Sequence, residues 1–389
     1  MRWQCVSVME CGVGPRSVSD GAFCVNDAAR RNQRLKELPV ALAEMGGWPA
    51  VLSTLTSGHD LPAELLRSAL GEILSGNATP AQIAGFAIGL RTKGETVEEL
   101  CVALDTMYTY GIAVPLTEAE RIGAICTCGT GGDRSHSINV STIAAFVVAG
   151  AGALVCKHGG RAASSAAGSA DVLEALGVTL EVTPEGVAEC VRSAGVGFAL
   201  APRFHPAMRH AAPVRRELGV ATMFNFLGPM ANPGGVARQV MGISDPAMAP
   251  RAAAVLGGRG AIRALVVFGH DGLDELTTTT TSTMLWVENG DVVTSVVDPT
   301  ALGLAPATVA QLRGGSAVEN AESATRVLAG DLGPHRDIVV LNAAAGLVAA
   351  GMVESLEDGL PLAMRSIDSG AAMRALESLV TTSAQYRTD

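Results

Sequence analysis

The chain has few aromatic residues and few positive charges, and each shortage excludes a class of function. Phe, Trp and Tyr make up 4% of the 389 residues, too few for the stacking platforms that bind single-stranded nucleic acid. Lys and Arg number 28 against 38 Asp and Glu, a net charge of -10. Because a negatively charged protein does not attract phosphate backbones, we expect no nucleic-acid partner. Any anion site must be a local group of donors.

Long apolar segments and paired cysteine motifs are also missing. The longest apolar runs, such as 143–155, are broken by glycines and are too short to cross a bilayer, so we expect no membrane or export segment. The eight cysteines show neither Cys-x-x-Cys pairs nor the regular spacing of a disulfide framework. The sequence therefore predicts reduced thiols and a cytoplasmic protein.

The composition and the apolar periodicity predict an α/β protein in three segments. Residues 1–45 show no sustained period, and we interpret them as a disordered N-terminal extension or the product of a wrongly chosen start codon. Residues 46–116 repeat apolar positions at helical spacing, which predicts a small all-helical domain, joined by helices from about 206–228. Residues 117–389 alternate short apolar runs with helices, which predicts a larger domain with a mainly parallel sheet flanked by helices.

A glycine-rich turn, residues 129–133, follows the first predicted strand of this sheet, 122–128. Glycines let the backbone approach a ligand closely, and the free N–H groups of the helix that follows attract an anion. Taken alone, the turn is equally consistent with an ordinary strand-to-helix connection. Asn139, Ser141 and Thr142 then supply more oxygen-bearing side chains than helix capping needs. The segment therefore predicts a phosphate or metal site.

A second polar loop follows the neighbouring predicted strand, 154–157, and repeats this chemistry. It carries a lysine, a histidine, an arginine and three serines between Lys157 and Ser169. Lys157 follows four apolar residues, so we expect it to point from the end of the sheet into the same cleft. The residues leave open whether His158 serves the site or is a buried structural histidine. Neither loop has the glycine spacing of a dinucleotide fingerprint or a P-loop, so a conventional dinucleotide or ATP site is not expected.

Two further segments carry charges suited to a ligand. Arg215 lies on a helix that is either an exposed basic face or the source of an arginine that grips a carboxylate through two hydrogen bonds. Asp274 and Glu275 follow the apolar strand 265–268, within a segment that begins as an Asp-Gly turn. Adjacent carboxylates at the end of a strand suit Mg²⁺, which prefers oxygen ligands and binds together with substrate phosphates.

From about residue 48 to the end, these segments resemble the anthranilate phosphoribosyltransferase family of tryptophan biosynthesis, and its actinobacterial members in particular. The resemblance implies a helical domain hinged to an α/β domain of the nucleoside phosphorylase and phosphoribosyltransferase type. It also implies a homodimer that binds phosphoribosyl pyrophosphate, anthranilate and Mg²⁺. The motifs that carry the resemblance are 129–133, 139–142, 157–159, 168–177, 205–206, 224–229, 232–233 and 271–277.

The resemblance implies site residues, position by position. The implied contacts with phosphoribosyl pyrophosphate are Gly129, Gly132, Asp133, Ser137, Asn139, Val140, Ser141, Thr142, Lys157, Ser164, Ser165 and Ser169. The implied anthranilate contacts are Gly129, His158, Gly160, His205 and Arg215, of which Arg215 holds the carboxylate. The implied Mg²⁺ ligands are Ser141, Asp274 and Glu275. No residue is assigned as a catalytic acid or base, and His158 is the one candidate.

One departure from the family pattern concerns the acceptor. Gly160 stands where the family has an asparagine that contacts anthranilate, and loss of that hydrogen bond weakens binding by about 0.5 to 1.5 kcal/mol. Three alternatives stay open: a related enzyme with another aromatic amine as acceptor, an enzyme like the pyrimidine nucleoside phosphorylases, and a non-catalytic binding protein. The phosphorylases lack the metal-binding carboxylates, so Asp274 and Glu275 count against the second.

Overall fold

The computed structural model describes residues 40–162 and 166–388. Most of the predicted N-terminal extension, residues 1–39, lies outside these ranges. Residues 40–45 do not: Leu42–Met45 forms a 3₁₀ helix, and Leu42 is buried. Leu42 and the partly buried Met45 pack against the same apolar cluster as the helices that follow. So short a turn produces no period that a sequence pattern reveals.

The α-helices follow the predicted order and are bounded by recognisable caps. Thr79 and Thr96 each accept a hydrogen bond from the backbone three residues on, in capping boxes with Gln82 and Glu99. The helices in the described residues are α1 (Gly47–Thr56), α2 (Ala63–Ser75), α3 (Pro80–Lys93), α4 (Val97–Thr109), α5 (Glu118–Gly123), α6 (Val140–Gly150), α7 (Ser169–Ala175), α8 (Pro184–Ala194), α9 (Ala201–Phe204), α10 (Ala212–Leu218), α11 (Met223–Met230), α12 (Ala249–Gly258), α13 (Ala317–Leu328), α14 (Pro334–Ala350), α15 (Leu356–Asp368) and α16 (Ala371–Gln385).

Helices α1 to α4 form a bundle with a common apolar interior. Fully buried side chains such as Leu66 and Phe86 share one core cluster with Val214 of α10 and Phe224 of α11. The segment 206–228 therefore packs against the bundle, although more than ninety residues of chain separate it from α4. Among the described residues, no helix is both long enough and apolar enough to cross a bilayer.

The remaining chain forms one seven-stranded sheet in the order β3-β2-β1-β4-β5-β6-β7. Strands β1 to β5 pair in parallel, and the last two form an antiparallel hairpin around the predicted turn at Asn289 and Gly290. This confirms the predicted fold class. The strands are β1 (Ala124–Gly129), β2 (Leu154–Gly159), β3 (Val196–Leu200), β4 (Arg238–Gly242), β5 (Arg263–Gly269), β6 (Ser282–Glu288) and β7 (Asp291–Val297).

The strand order reverses at β1, which lies between β2 and β4. In open parallel sheets, ligands bind at such a switch point, outside the carboxyl ends of the strands. The glycine turn 129–133 leaves β1 there. The second polar loop, 157–169, here called the serine loop, leaves β2, and the segment with Asp274 and Glu275 leaves β5. Helices α6 and α14 pack face to face beside these strands and are almost wholly apolar, so the edge that carries the polar loops stands on a rigid core.

Candidate active site at the carboxyl edge of the sheet

The glycine turn holds the carboxylate of Asp274. The backbone N–H of Gly131 donates to Asp274 Oδ2 at 2.7 Å. A Cβ atom on Gly129 would lie 2.3 Å from that same oxygen, and a Cβ atom on Gly242 would lie 1.6 Å from the main-chain oxygen of Asp274. Glycine is therefore required at 129 and 242 so that the carboxylate segment can approach the sheet, in addition to any approach by a ligand.

The two carboxyl groups are buried, and their electrostatics are perturbed accordingly. Asp274 is 9% exposed and Glu275 is 8% exposed. Burial, together with contact with the carboxyl group of Asp133, raises the pKa of Asp274 to about 7. Burial and the charge of Asp274 raise the pKa of Glu275 to about 8. Both carboxyl groups therefore hold protons more tightly than usual near neutral pH. A bound cation would offset the cost of burying their negative charges.

Lys157 lies near the end of β2, beneath the start of α6. The sequence predicts that it points from the end of the sheet into a cleft. Its side chain is 2% exposed, and Nζ donates to the main-chain oxygen of Thr127 and to Ser141 Oγ, the latter at 3.3 Å. Burial lowers the pKa of Lys157, while nearby groups that include both carboxylates raise it. The lysine hydrogen-bonds the Ser141 hydroxyl, and its charge opposes the rise in the pKa of Glu275.

Ser141, Asp274 and Glu275 lie together, as predicted for a metal site. The N–H of Ser141 donates to Glu275 Oε1 at 3.1 Å. In residues 40–162 and 166–388, no three His, Cys, Asp or Glu side chains are arranged to hold a metal ion by themselves. Two carboxylates and a hydroxyl are hard oxygen donors and fewer than the six ligands that Mg²⁺ takes, which fits Mg²⁺ held jointly by protein and phosphate.

Asn139 makes hydrogen bonds within the protein through both atoms of its amide, each of which keeps one further donor or acceptor position. Its Nδ2 donates to the main-chain oxygen of Ala167 at 3.1 Å, and its Oδ1 accepts from Asn320 Nδ2 at 2.8 Å. The side chain therefore ties the glycine turn to the serine loop and to α13. Thr142 Oγ1 donates to Ser169 Oγ at 2.9 Å, which leaves the Ser169 hydroxyl able to donate to a ligand.

The backbone between the glycine turn and α6 is strained. Arg134 and His136 adopt positive φ angles of 56° and 54°, a conformation that non-glycine residues seldom take and that clusters at functional sites. Ser137 forms an isolated antiparallel bridge with Arg313, which anchors this loop to the far end of the chain. In this loop Gly132 is exposed and Asp133 is half-buried, and the loop leads to the buried Val140. Ser164 and Ser165 lie outside the described residues.

The two predicted histidines lie side by side, with ring centroids 5.2 Å apart. His158 Nδ1 lies 3.1 Å from the main-chain oxygen of Gly228, and His205 Nε2 lies 2.8 Å from that of Ala231. Since a carbonyl oxygen only accepts, these ring nitrogens carry the protons. His158 Nε2 is buried and has no partner among the described residues. A Cβ atom on Gly111 would lie 3.2 Å from His205 Nδ1. His205 therefore packs closely against the chain that follows α4.

Burial makes His158 a neutral base, with a consequence for stability. Burial, together with the charge of His205, lowers the pKa of His158 to about 3. Below its ordinary pKa of about 6.5, the unfolded chain binds a proton that the folded chain refuses, so the contribution of His158 to the free energy of unfolding falls as the pH drops from about 6.5 towards 3. We expect His158→Gln to lose less stability than the parent between about pH 8 and pH 5 in urea unfolding.

The exposed His59 supplies the control for that measurement, because His59→Gln removes a histidine without removing a buried one. Equal acid sensitivity of the parent and His158→Gln would contradict the neutral, buried state of His158.

Arg215 and Gly160 complete the predicted acceptor side. Arg215 is half-buried, its guanidinium lies 5.7 Å from the ring centre of Phe224, and burial lowers its pKa. Its Nε is buried and has no hydrogen-bond partner in the described part of the chain, which suits a ligand carboxylate. A Cβ atom on Gly160 would touch only Ala201, at 3.9 Å, so a larger side chain fits there.

Sequence reasoning missed three residues that hold the site in place: Gly242, Asn320 and Asn342. Gly242 ends a strand and looks like any strand glycine. Asn342 is different, because it is the one polar side chain between residues 338 and 350. A lone amide in an otherwise apolar stretch of helix must find hydrogen-bond partners. The sequence alone therefore marks Asn342 as a residue with a specific contact.

Comparisons with known proteins agree with this geometry. Residues 49–111 match the family model "Glycosyl transferase family, helical bundle domain", and residues 122–373 match "Glycosyl transferase family, a/b domain". An anthranilate phosphoribosyltransferase of a Nocardioides species is 52% identical over 346 residues, which cover 88% of this chain and 100% of that protein. The one from Salinispora arenicola is 50% identical and covers 85% of this chain and 94% of that protein.

Solved structures agree as well. The anthranilate phosphoribosyltransferase of Thermus thermophilus is 40% identical with a TM-score of 0.79, covering 86% of this chain and 99% of that one. The enzyme from Saccharomyces cerevisiae, solved in complex with PRPP and Mg, is 27% identical with a TM-score of 0.79. The match covers 88% of this chain and 99% of the yeast chain. Since the match spans both the bundle and the sheet that carries the buried carboxylates, this chain belongs to the anthranilate phosphoribosyltransferase family.

Proposed function

We propose that this chain transfers the phosphoribosyl group of phosphoribosyl pyrophosphate to the amine of anthranilate in a Mg²⁺-dependent reaction. The products are N-(5-phosphoribosyl)anthranilate and pyrophosphate, and the reaction belongs to tryptophan biosynthesis. The observation that carries the proposal is the buried pair Asp274 and Glu275, with raised pKa values of about 7 and 8, held against the glycine turn. Such a pair is suited to a divalent cation that arrives with a pyrophosphate ester.

The glycine turn, the start of α6 and the serine loop would bind the phosphate groups. Backbone N–H groups, the Ser169 hydroxyl and the charge of Lys157 surround one rim of the sheet. Ser141, Asp274 and Glu275 would hold Mg²⁺, which when bound neutralises negative charge on the pyrophosphate leaving group. Donors that are oriented before the ligand binds stabilise the developing charge without reorganising, and the bonded side chains of Lys157 and Ser141 are suited to that role.

The acceptor side needs little acid–base chemistry. An aromatic amine is already neutral at pH 7, so its nitrogen can attack the anomeric carbon once it is positioned. His158 donates its Nδ1 proton to Gly228, and its unpartnered Nε2 therefore presents a lone pair. We infer that this nitrogen accepts a hydrogen bond from the amine. We assign His158 this role, and Arg215 the role of holding the acceptor carboxylate.

The direct test is the loss of anthranilate fluorescence on adding the purified protein, phosphoribosyl pyrophosphate and Mg²⁺. A Gly160→Asn variant tested in parallel should turn over with a KM for anthranilate several-fold to about tenfold lower, because the amide adds one hydrogen bond in space that is open. Turnover by both proteins would support the proposal. Turnover by the variant alone would indicate another aromatic amine as the native acceptor, and turnover by neither would contradict the proposal.

The comparisons favour this reaction over the alternatives, since the relatives described above are anthranilate phosphoribosyltransferases and this chain retains the carboxylates that pyrimidine nucleoside phosphorylases lack. The homodimer, the cytoplasmic location and the hinge between residues 46–116 and 117–389 stay predictions. Sedimentation of the purified chain would test the homodimer.

A further inference from the structure

The segment that carries Asp274 and Glu275 belongs to no helix or strand. Its backbone groups must therefore find hydrogen-bond partners outside regular secondary structure. Leu276, the next residue, is fully buried. Its N–H donates to Asn342 Oδ1 at 3.0 Å, and its main-chain oxygen accepts from Asn342 Nδ2 at 2.8 Å. A single amide side chain therefore satisfies both backbone groups of the residue that follows the carboxylates.

The source of this amide is unusual. Asn342 lies on α14 among side chains that are apolar from residue 338 to residue 350, and it is 3% exposed. Its Nδ2 also donates to the main-chain oxygen of Ile338 at 2.9 Å, one turn earlier on the same helix. Because burying an unpaired amide is costly, the residue is tolerated there only while it is bonded to Leu276.

The other contacts of the segment show what this amide controls. Asp274 is held by the Gly131 N–H, Glu275 by the Ser141 N–H, and Thr277 donates its N–H to Ser282 Oγ at 2.9 Å. Leu276 lies between these fixed points. Release of its backbone would let Glu275 rotate or shift, and a displacement of about 1 Å at reacting groups costs as much as 10²-fold in rate.

We propose that Asn342 is a positioning residue for the metal-binding carboxylates: through Leu276 it sets the orientation in which Asp274 and Glu275 meet a divalent cation. This inference rests on the proposed function, since it assumes that the carboxylates bind the cation. The hydrogen bonds of Asn342 run to the backbone of Leu276 and Ile338, so it acts on the carboxylates through the backbone.

The test replaces Asn342 by Leu, which has a similar shape and removes both hydrogen bonds to Leu276 together with the one to Ile338. Free Mn²⁺ is counted by electron paramagnetic resonance as the protein is titrated with Mn²⁺ in the presence of phosphoribosyl pyrophosphate. We expect the variant to bind Mn²⁺ about tenfold more weakly, the equivalent of one lost buried hydrogen bond. The Mg²⁺ concentration for half-maximal activity should rise to the same extent, while the KM for anthranilate stays unchanged.

Ser366→Ala is the control for a merely structural effect. Ser366 Oγ is buried and donates to the main-chain oxygen of Val147 at 2.7 Å, away from the carboxylates. The control should lower the melting temperature without changing Mn²⁺ binding. Mn²⁺ binding by Asn342→Leu that matches the parent, with only a lower melting temperature, would overturn the proposal.

Asn342→Ser is the second variant, for use if the leucine variant does not fold. Serine is smaller than asparagine and leaves space for water. Weakened Mn²⁺ binding by this folded variant supports the proposal, and parental binding overturns it. If the parent itself binds no Mn²⁺ with phosphoribosyl pyrophosphate, the proposed function fails first, and the positioning role fails with it.

Discussion

Asp274→Asn is expected to lower kcat/KM for phosphoribosyl pyrophosphate by about 10²- to 10³-fold without loss of stability. The amide has the same shape as the carboxylate and its oxygen can still accept from the Gly131 N–H, so the loop keeps its hydrogen bond. It cannot provide the negative charge that a divalent cation needs. Because the carboxyl group is buried and burial raises its pKa to about 7, an uncharged side chain also removes a desolvation cost. Steady-state kinetics and thermal unfolding measure the two effects.

Glu99→Gln is the matched control, since Glu99 is another buried carboxylate, 4% exposed, but lies in the helical bundle. It pairs with Lys93 at 2.8 Å and accepts the N–H of Leu61. Its replacement should show the opposite pattern, with lower stability and a parental kcat/KM. Parental activity in Asp274→Asn would show that this carboxylate is not a cation ligand.

Gly242→Ala should abolish activity and lower stability together. The added Cβ atom would lie 1.6 Å from the main-chain oxygen of Asp274, and neither backbone can move freely, because β4 is paired on both sides and Asp274 is held by the glycine turn. We expect a loss of about 1 to 3 kcal/mol in the free energy of unfolding and at least about 10²-fold in kcat. Urea unfolding and the anthranilate fluorescence assay provide the measurements.

The control for that change is Gly123→Ala at the end of α5, where an added Cβ atom meets nothing within 4 Å. This substitution should be neutral or slightly stabilising, since alanine restricts the unfolded chain more than glycine does. If Gly242→Ala behaved like Gly123→Ala, the close approach of Asp274 to the sheet would not exist in solution.

Much of the site was predictable because its parts are local. The glycine turn follows β1, the lysine follows an apolar strand, and the two carboxylates follow β5, so each lies at an edge that parallel topology makes common. Asn139 shows what local reasoning leaves out. Its type and position predict a ligand contact, but they do not report that its amide also bonds to Ala167 and Asn320. The partner on α13 is 181 residues away, a separation that no local pattern reports.

The amino-acid sequence by itself determined most helices and strands, their order along the chain and the residue types at their ends, because periodicity and capping depend on neighbours within a few positions. Only the tertiary structure decided that Gly242 presses on Asp274 and that Asn342 holds Leu276, 66 residues away in the chain. It also decided the raised pKa values of the two carboxyl groups. Those properties arise from burial and from contacts between distant segments, which exist only once the chain has folded.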